Sequence, residues 1–157
     1  MRREPEDIND SLIAAARAGQ IESIYALVRS GADPNFHAGV NGWPALMHAV
    51  HKKQLGSVAA LLEAGANVNE SGPNGETAIM MAAGYGYAAI VRTLLAAHAD
   101  PFATMRNGDN ALDFALSGVM DIDRFTFGHC QREVVRVLRG AAPTLLPTDT
   151  RKLRSCA

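Results

Sequence analysis

His48 and His51 lie three residues apart, a spacing that sets two imidazoles on one helix face and could supply two ligands to a metal. No third ligand stands near them in the sequence, so a packed or surface histidine pair is the favoured reading. Asp121, Asp123, His129 and Cys130 are a second group of metal-binding types. Their order matches no calcium loop or zinc motif, and solvated acids in an exposed loop account for them. Gly84-Tyr85-Gly86 lacks the lysine and hydroxyl of a phosphate loop, and neither a Gly-x-Ser-x-Gly elbow nor a His-Glu-x-x-His pair occurs. Arg151, Lys152 and Arg154 could touch an acidic partner or a phosphate, although three charges near a chain end are usually just solvated. No catalytic, cofactor or metal site is therefore expected.

Composition narrows the classes further. Fifteen basic and sixteen acidic residues leave a formal net charge of −1, which gives no global attraction to nucleic acid or to an anionic membrane. With 48% hydrophobic and 20% charged residues, the chain suits a soluble globular or repeat protein. No apolar run approaches the roughly 18–20 residues of a membrane span, and Met1-Arg2-Arg3-Glu4-Pro5-Glu6-Asp7 contains nothing long enough for a signal peptide. The expectation is a cytoplasmic monomer whose two cysteines, Cys130 and Cys156, are kept as thiols by a reducing compartment.

The elements that must carry any function are set by a period. Asn-Gly occurs at Asn41-Gly42, Asn74-Gly75 and Asn107-Gly108, a spacing of 33 residues each time. Asn-Gly is a strong tight-turn signal because both residues tolerate positive φ. A turn that returns at fixed spacing marks one supersecondary unit copied along the chain. Each copy reads as a turn, a short helix, a second helix and a Gly-Ala-Asp type stop. First helices are predicted to begin at Asp10, Pro44, Thr77 and Asn110; Asp, Thr and Asn can cap a helix through a side-chain oxygen, whereas Pro44 cannot. Small residues follow (Ala15-Ala16, Ala49-Val50, Ala82-Ala83, Ala115-Leu116) and let stacked helices approach closely. Second helices carry the larger apolar rows: Ile24, Leu27 and Val28; Val58, Leu61 and Leu62; Ile90, Val91, Leu94 and Leu95; Val134, Val135, Val137 and Leu138. Gly31 and Gly65 stop the first two of these; His98 holds that position in the third copy, where a non-glycine costs some fraction of roughly 1 kcal/mol.

This pattern resembles the ankyrin repeat, a 33-residue unit with a β-turn, two helices and a Thr-Pro-Leu-His signature. The third copy is the nearest match (Gly75, Thr77, Ile79, Ala82, Ala83, Gly86, Val91, Leu94, Leu95, Ala99, Asp100), and the second matches through Gly42, Leu46, Ala49, Leu61, Leu62, Gly65, Ala66, Asn67, Val68 and Asn69. The signature histidine is absent: its positions hold Ile13, Met47, Met80 and Asp113. In the family that histidine helps to bridge neighbouring turns, so those bridges are missing or replaced here. The resemblance implies an all-α, ankyrin-type helix-turn-helix solenoid with β-turn or hairpin loops. It is read as one domain over residues 1–157, with repeats at about 8–38, 39–72, 73–105 and 106–143. The fourth copy is interrupted: apolar spacing returns at Val134, 44 residues after Ile90 instead of 33, which places an insert of about eleven residues in 119–130. The tail, 144–157, is expected to be loosely ordered.

The resemblance also implies a function. In ankyrin-like stacks the turn tips and the exposed side of the first helices line a concave groove that binds proteins. Carried over by position, the groove here comprises Val40, Trp43, His51, Lys52, Pro73, Glu76, Tyr85, Arg106, Asp109 and Ser117. Trp43 and Tyr85 stand out because Trp, Tyr and Arg dominate interface energetics; Trp43 could equally pack over a neighbouring turn and only stabilise it. The expected function is non-catalytic binding of a partner protein, as adaptor or inhibitor. Two alternatives stay open: a metal-dependent regulator or enzyme with its site in 119–130, and a purely structural or oligomerising module.

Overall fold

The computed structural model describes residues 5–39, 41–118 and 130–156. Val40 and all of the 119–130 insert except Cys130 lie outside the described residues. Within them the chain forms eight α-helices and one 3-10 segment, with no extended strand and two isolated antiparallel bridges, Ala38 to Trp43 and Thr104 to Asn110. It divides into two compact units, Met1–Pro73 and Asn74–Ala157.

The first unit contains α1 (Pro5–Ala18), α2 (Ile21–Arg29), α3 (Ala45–His51) and α4 (Leu55–Glu63). Each first helix pairs with its own second helix, α1 packs on α3, and α2 packs on α4. Small residues make this possible: Ala15, Ala16 and Ala49 are buried where helices meet. The larger Ile24, Val58 and Leu61 of the second helices fill the remaining volume without exposure. Helix α1 begins at Pro5, not at the expected Asp10. Proline suits a first helical position because its missing N–H would be unpaired there anyway. Asp10 is consequently no cap but an exposed mid-helix residue. The loops are tied to their neighbours by side-chain rungs: the Asp33 N–H donates to Asn9 Oδ1 at 2.8 Å, and the Asn67 N–H to Asn35 Oδ1 at 2.7 Å.

The second unit contains α5 (Ala78–Gly84), α6 (Ala88–Ala96), α7 (Ala111–Ser117), α8 (Arg132–Ala141) and the 3-10 segment Thr150–Cys156. Helix α5 packs on α7 and α6 on α8, repeating the arrangement of the first unit. Ile79, Met80, Ile90, Leu94, Leu112, Leu116 and Leu138 form its fully buried rows. At Cys130 the chain rejoins the repeat, and the Gln131 N–H donates to the Ala115 carbonyl at 2.7 Å.

The Asn-Gly turns differ in detail from the expectation. Gly42, Gly75 and Gly108 have positive φ, but the asparagines before them do not. A type I′ hairpin needs positive φ at both residues, so these are turns with a single left-handed glycine. At Gly75 the demand for glycine comes from its φ of 85°, since an added Cβ would meet Met105 Cα and the Thr104 carbonyl of the next turn only at ordinary contact distances of 3.4 and 3.5 Å. His98 has a φ of 65°, the left-handed conformation expected at its stop position.

Capping follows the signature position. Pro44 and Thr77 precede α3 and α5 without a side-chain cap. The Thr77 hydroxyl is buried and has no hydrogen-bond partner among the described residues. With Met80 in the signature position, no imidazole is there to serve it. In the fourth copy Asp113 occupies the equivalent place, and the bridge is rebuilt. Asn110 Oδ1 accepts the Leu112 and Asp113 N–H groups, while Asp113 Oδ2 accepts the Asn110 N–H at 3.0 Å, a reciprocal capping box.

Asp113 also orders the tail, which was expected to be loose. The Thr148 N–H and hydroxyl donate to Asp113 Oδ1 at 3.0 and 3.1 Å, and Lys152 Nζ reaches the same oxygen at 3.1 Å. Asn110 Nδ2 donates to the Leu146 carbonyl at 2.8 Å, and Leu145 is buried. The 3-10 segment thereby packs on α7 as a first helix would in a further repeat. The thiol expectation is corrected at Cys130, which is disulfide-bonded.

Candidate functional site

In the first unit, α1 presents a row one helical face wide. Asp10, Ile13, Ala14 and Arg17 follow the i, i+3, i+4, i+7 spacing that brings residues to one side of a helix. The turn after Ala38 folds back so that the Ala38 N–H donates to the Trp43 carbonyl, and Gly42 donates to Gly39. This carries Trp43 toward α3. Together these elements wall a cavity of about 410 Å³ lined by Asp10, Ile13, Ala14, Arg17, Gly39, Asn41, Trp43, His48 and His51.

Trp43 is half-buried and held between two imidazoles. Its ring lies 5.7 Å from that of His48, at 60°, and 5.7 Å from that of His51, at 57°. Edge-to-face and tilted contacts of this kind fix ring orientation and add some stabilisation beyond burial. His48 is only 8% exposed. Burial pushes its pKa down, and the nearby positive charges of Arg17, His51 and Lys52 act in the same direction against a hydrogen bond to the Ala38 carbonyl. His48 is thus a neutral wall of the cavity near pH 7. Among the described residues no group of three His, Cys, Asp or Glu side chains could hold a metal. Of the other cluster considered for a metal, Asp121, Asp123 and His129 lie outside the described residues, and Cys130 is disulfide-bonded.

The remaining expected residues fall in different settings. Lys52 ends the helix that carries His51. Pro73 packs against Gly42, where an added Cβ would approach its ring to 3.0 Å. In the second unit, Tyr85 stacks on Tyr87 with ring centroids 5.3 Å apart. Glu76 folds back to accept the Asn74 N–H, and the exposed Arg106 donates its own N–H to the Asn74 carbonyl, tying successive turns together. Ser117 is exposed at the end of α7. Asp109 is bound internally: Lys152 Nζ lies 3.0 Å from its Oδ1, and the Thr148 hydroxyl, whose one proton it shares with Asp113, lies 3.1 Å away. Burial acts against ionisation there, but Lys152 and Thr148 prevail and hold its carboxyl below the usual range.

The resemblance placed Trp43 and His51 together as groove positions of the second copy. It missed Asp10, Ile13, Ala14 and Arg17, although their helical row was there to be read, and it treated His48 as bland packing. Comparison with known proteins agrees with the fold. Residues 12–105 match the family model described as ankyrin repeats (3 copies). The chain belongs to the ankyrin repeat family. Ankyrin repeats are general protein–protein interaction modules. The chain is similar to the B-cell lymphoma 3 protein homolog of Mus musculus, 33% identical over 132 residues that cover 84% of this chain and 26% of that protein. It is also similar to the ankyrin repeat and KH domain-containing protein mask-1 of Caenorhabditis elegans, 33% identical over 121 residues, 75% of this chain and 4% of that protein. The ankyrin repeat and SAM domain-containing protein 6 of Rattus norvegicus is 40% identical over 67 residues, 43% of this chain and 8% of that protein. The chain spans about a quarter of the first relative and far less of the other two. Among the described residues, no helix is long and apolar enough to cross a membrane.

Proposed function

We propose that this ankyrin repeat chain is a non-catalytic recognition module that binds a partner protein through its turn tips and the exposed side of its first helices. The supporting observation is the cavity beside Trp43, where a large aromatic ring is oriented by two imidazoles yet still faces open volume. A ring held in place before binding loses little freedom on contact, which is how rigid surfaces gain affinity. A second aromatic site, the Tyr85–Tyr87 stack, serves the same role in the second unit.

The test is a comparison of Trp43→Ala and Tyr85→Ala with the wild type. Partner proteins are captured from an extract and identified by mass spectrometry, and their affinity for each variant is measured beside its melting temperature. The reading expects weakened binding with little thermal loss. Intact binding with a large drop in melting temperature would show that these rings only stabilise the fold. A cytoplasmic setting, where disulfides are rare, would instead hold Cys130 as a thiol.

A further inference from the structure

The three Asn-Gly pairs share a sequence, an exposed asparagine and a left-handed glycine, yet their hydrogen bonds differ. At Asn107 the side-chain amide is clamped: Nδ2 donates to Asp109 Oδ2 at 2.9 Å, and Oδ1 accepts the Asp109 N–H at 3.1 Å. The Gly108 N–H is also taken, by the Met105 carbonyl at 2.9 Å. At Asn41 the Gly42 N–H donates to the Gly39 carbonyl at 3.2 Å. At Asn74 the acid two residues on, Glu76, accepts the backbone N–H and leaves the side-chain amide alone. Among the described residues, neither the Asn74 amide nor the Gly75 N–H has a hydrogen-bond partner. The Asn74 carbonyl accepts the Arg106 N–H at 3.1 Å.

We propose that Asn74-Gly75 is a site of spontaneous covalent modification, singled out among the three pairs by these bonds. Asparagine is thermolabile, and glycine sets no side chain beside the nitrogen that attacks. The Gly75 nitrogen gives its proton to water and forms a bond to Asn74 Cγ. The Cγ–Nδ2 bond breaks, ammonia leaves with a proton from solvent, and a cyclic imide remains. Water then opens the ring. Cleavage at Cγ gives aspartate; cleavage at the backbone carbonyl carbon gives isoaspartate, whose main chain runs through Cγ. The Arg106 N–H favours the first step, because a donor on the Asn74 carbonyl stabilises the negative charge that spreads onto its oxygen. Both products add a carboxylate to the turn that Glu76 already closes. Isoaspartate also adds a carbon to the main chain between the bond to Glu76 and the bond from Arg106, which disrupts the tie to the next turn.

The test incubates the intact chain in mildly alkaline buffer, once folded and once in urea, and reads amide loss at each asparagine by peptide mass spectrometry. Each hydrogen bond that must break before attack slows a site by roughly 2- to 10-fold. In the folded chain Asn74 should therefore lose its amide at least about tenfold faster than Asn107, with Asn41 between them. The comparison is matched, because an acid stands two residues after both Asn74 and Asn107. In urea the three rates should converge. The isoaspartate form, separated by chromatography, should show faster amide exchange at Arg106 than the unmodified chain. Equal rates at Asn74 and Asn107 in the folded chain overturn the proposal. The same ranking in urea also overturns it, by tracing the order to sequence alone. Unchanged protection of the Arg106 amide overturns the stated effect on the turn. No outcome involves partner binding, so the recognition reading stands or falls separately.

Discussion

Replacing Asp113 by alanine should be among the most damaging single changes in the second unit. Its carboxylate is 1% exposed and accepts from the Asn110 N–H, the Thr148 N–H, the Thr148 hydroxyl and Lys152 Nζ. The Asn110 donor is buried, and leaving it without an acceptor costs about 1–3 kcal/mol. The Thr148 and Lys152 bonds are partly solvated, so water recovers much of their loss; they add about 1 kcal/mol together, near the lower bound for hydrogen bonds to charged groups. Asp113→Ala should therefore destabilise by about 2–4 kcal/mol. With a urea slope of about 2 kcal/mol/M, the midpoint falls by roughly 1–2 M. Asp113→Asn keeps one acceptor and should lose about half as much. Lys152→Ala removes a contact that water can replace and should cost under about 1 kcal/mol. The assay is urea unfolding followed by circular dichroism, with amide exchange at Thr148 as the local reporter. A loss below about 1 kcal/mol, or unchanged protection of the Thr148 amide, would refute the idea that this carboxylate joins the cap of α7 to the tail.

Three further outcomes follow from named residues. Thr77→Val removes a buried hydroxyl that has no partner among the described residues, so it should leave stability unchanged or raise it by up to about 1 kcal/mol, read as a shift in melting temperature. Leu94 is fully buried, and Leu94→Ala should cost roughly 2–5 kcal/mol in the same measurement. The histidines should titrate on opposite sides of their ordinary value of about 6.5. His37 is raised by its hydrogen bond to Glu70, and its other ring nitrogen faces the Gly42 carbonyl, so both nitrogens must donate. Its contribution to stability is complete below about pH 6.5 and is lost as pH rises through its folded pKa. His48 is depressed by burial, so its contribution is complete above about 6.5 and is lost as pH falls through its folded pKa. Proton NMR of the imidazole C–H signals should show His37 titrating above His48; the reverse order would break the argument.

The repeat itself was legible in the sequence because its signals are local. The 33-residue turn spacing and the periodic apolar rows place α3, α5 and α7 directly after Pro44, Thr77 and Asn110. What escaped was everything set by contacts between elements. Nothing in the tail has the period of the repeat, so its order is visible only once Asp113 is seen to face Thr148 and Lys152. The uncapped Thr77 hydroxyl could not be read from its own residue type, which favours capping; its missing partner is three residues away in a methionine. The cavity needed the packing of α1 on α3, which sets Arg17 beside Trp43 across 26 positions of chain. Trp43 itself was visible as an odd aromatic beside a turn, but what surrounds it was not.

The substitution at the signature position also bears on how such a chain can change its repeat number. A unit patterned on the third copy, with Met80, brings an apolar side chain that any stacked neighbour can cover. A duplicate of the fourth copy would bring a second Asp113 facing a fresh helix, without Thr148 or Lys152 to receive it. That carboxylate would be buried with fewer donors, a costly arrangement. A unit built like that around Met80 should therefore duplicate at lower cost than one built like that around Asp113, whose carboxylate depends on its partners in the tail.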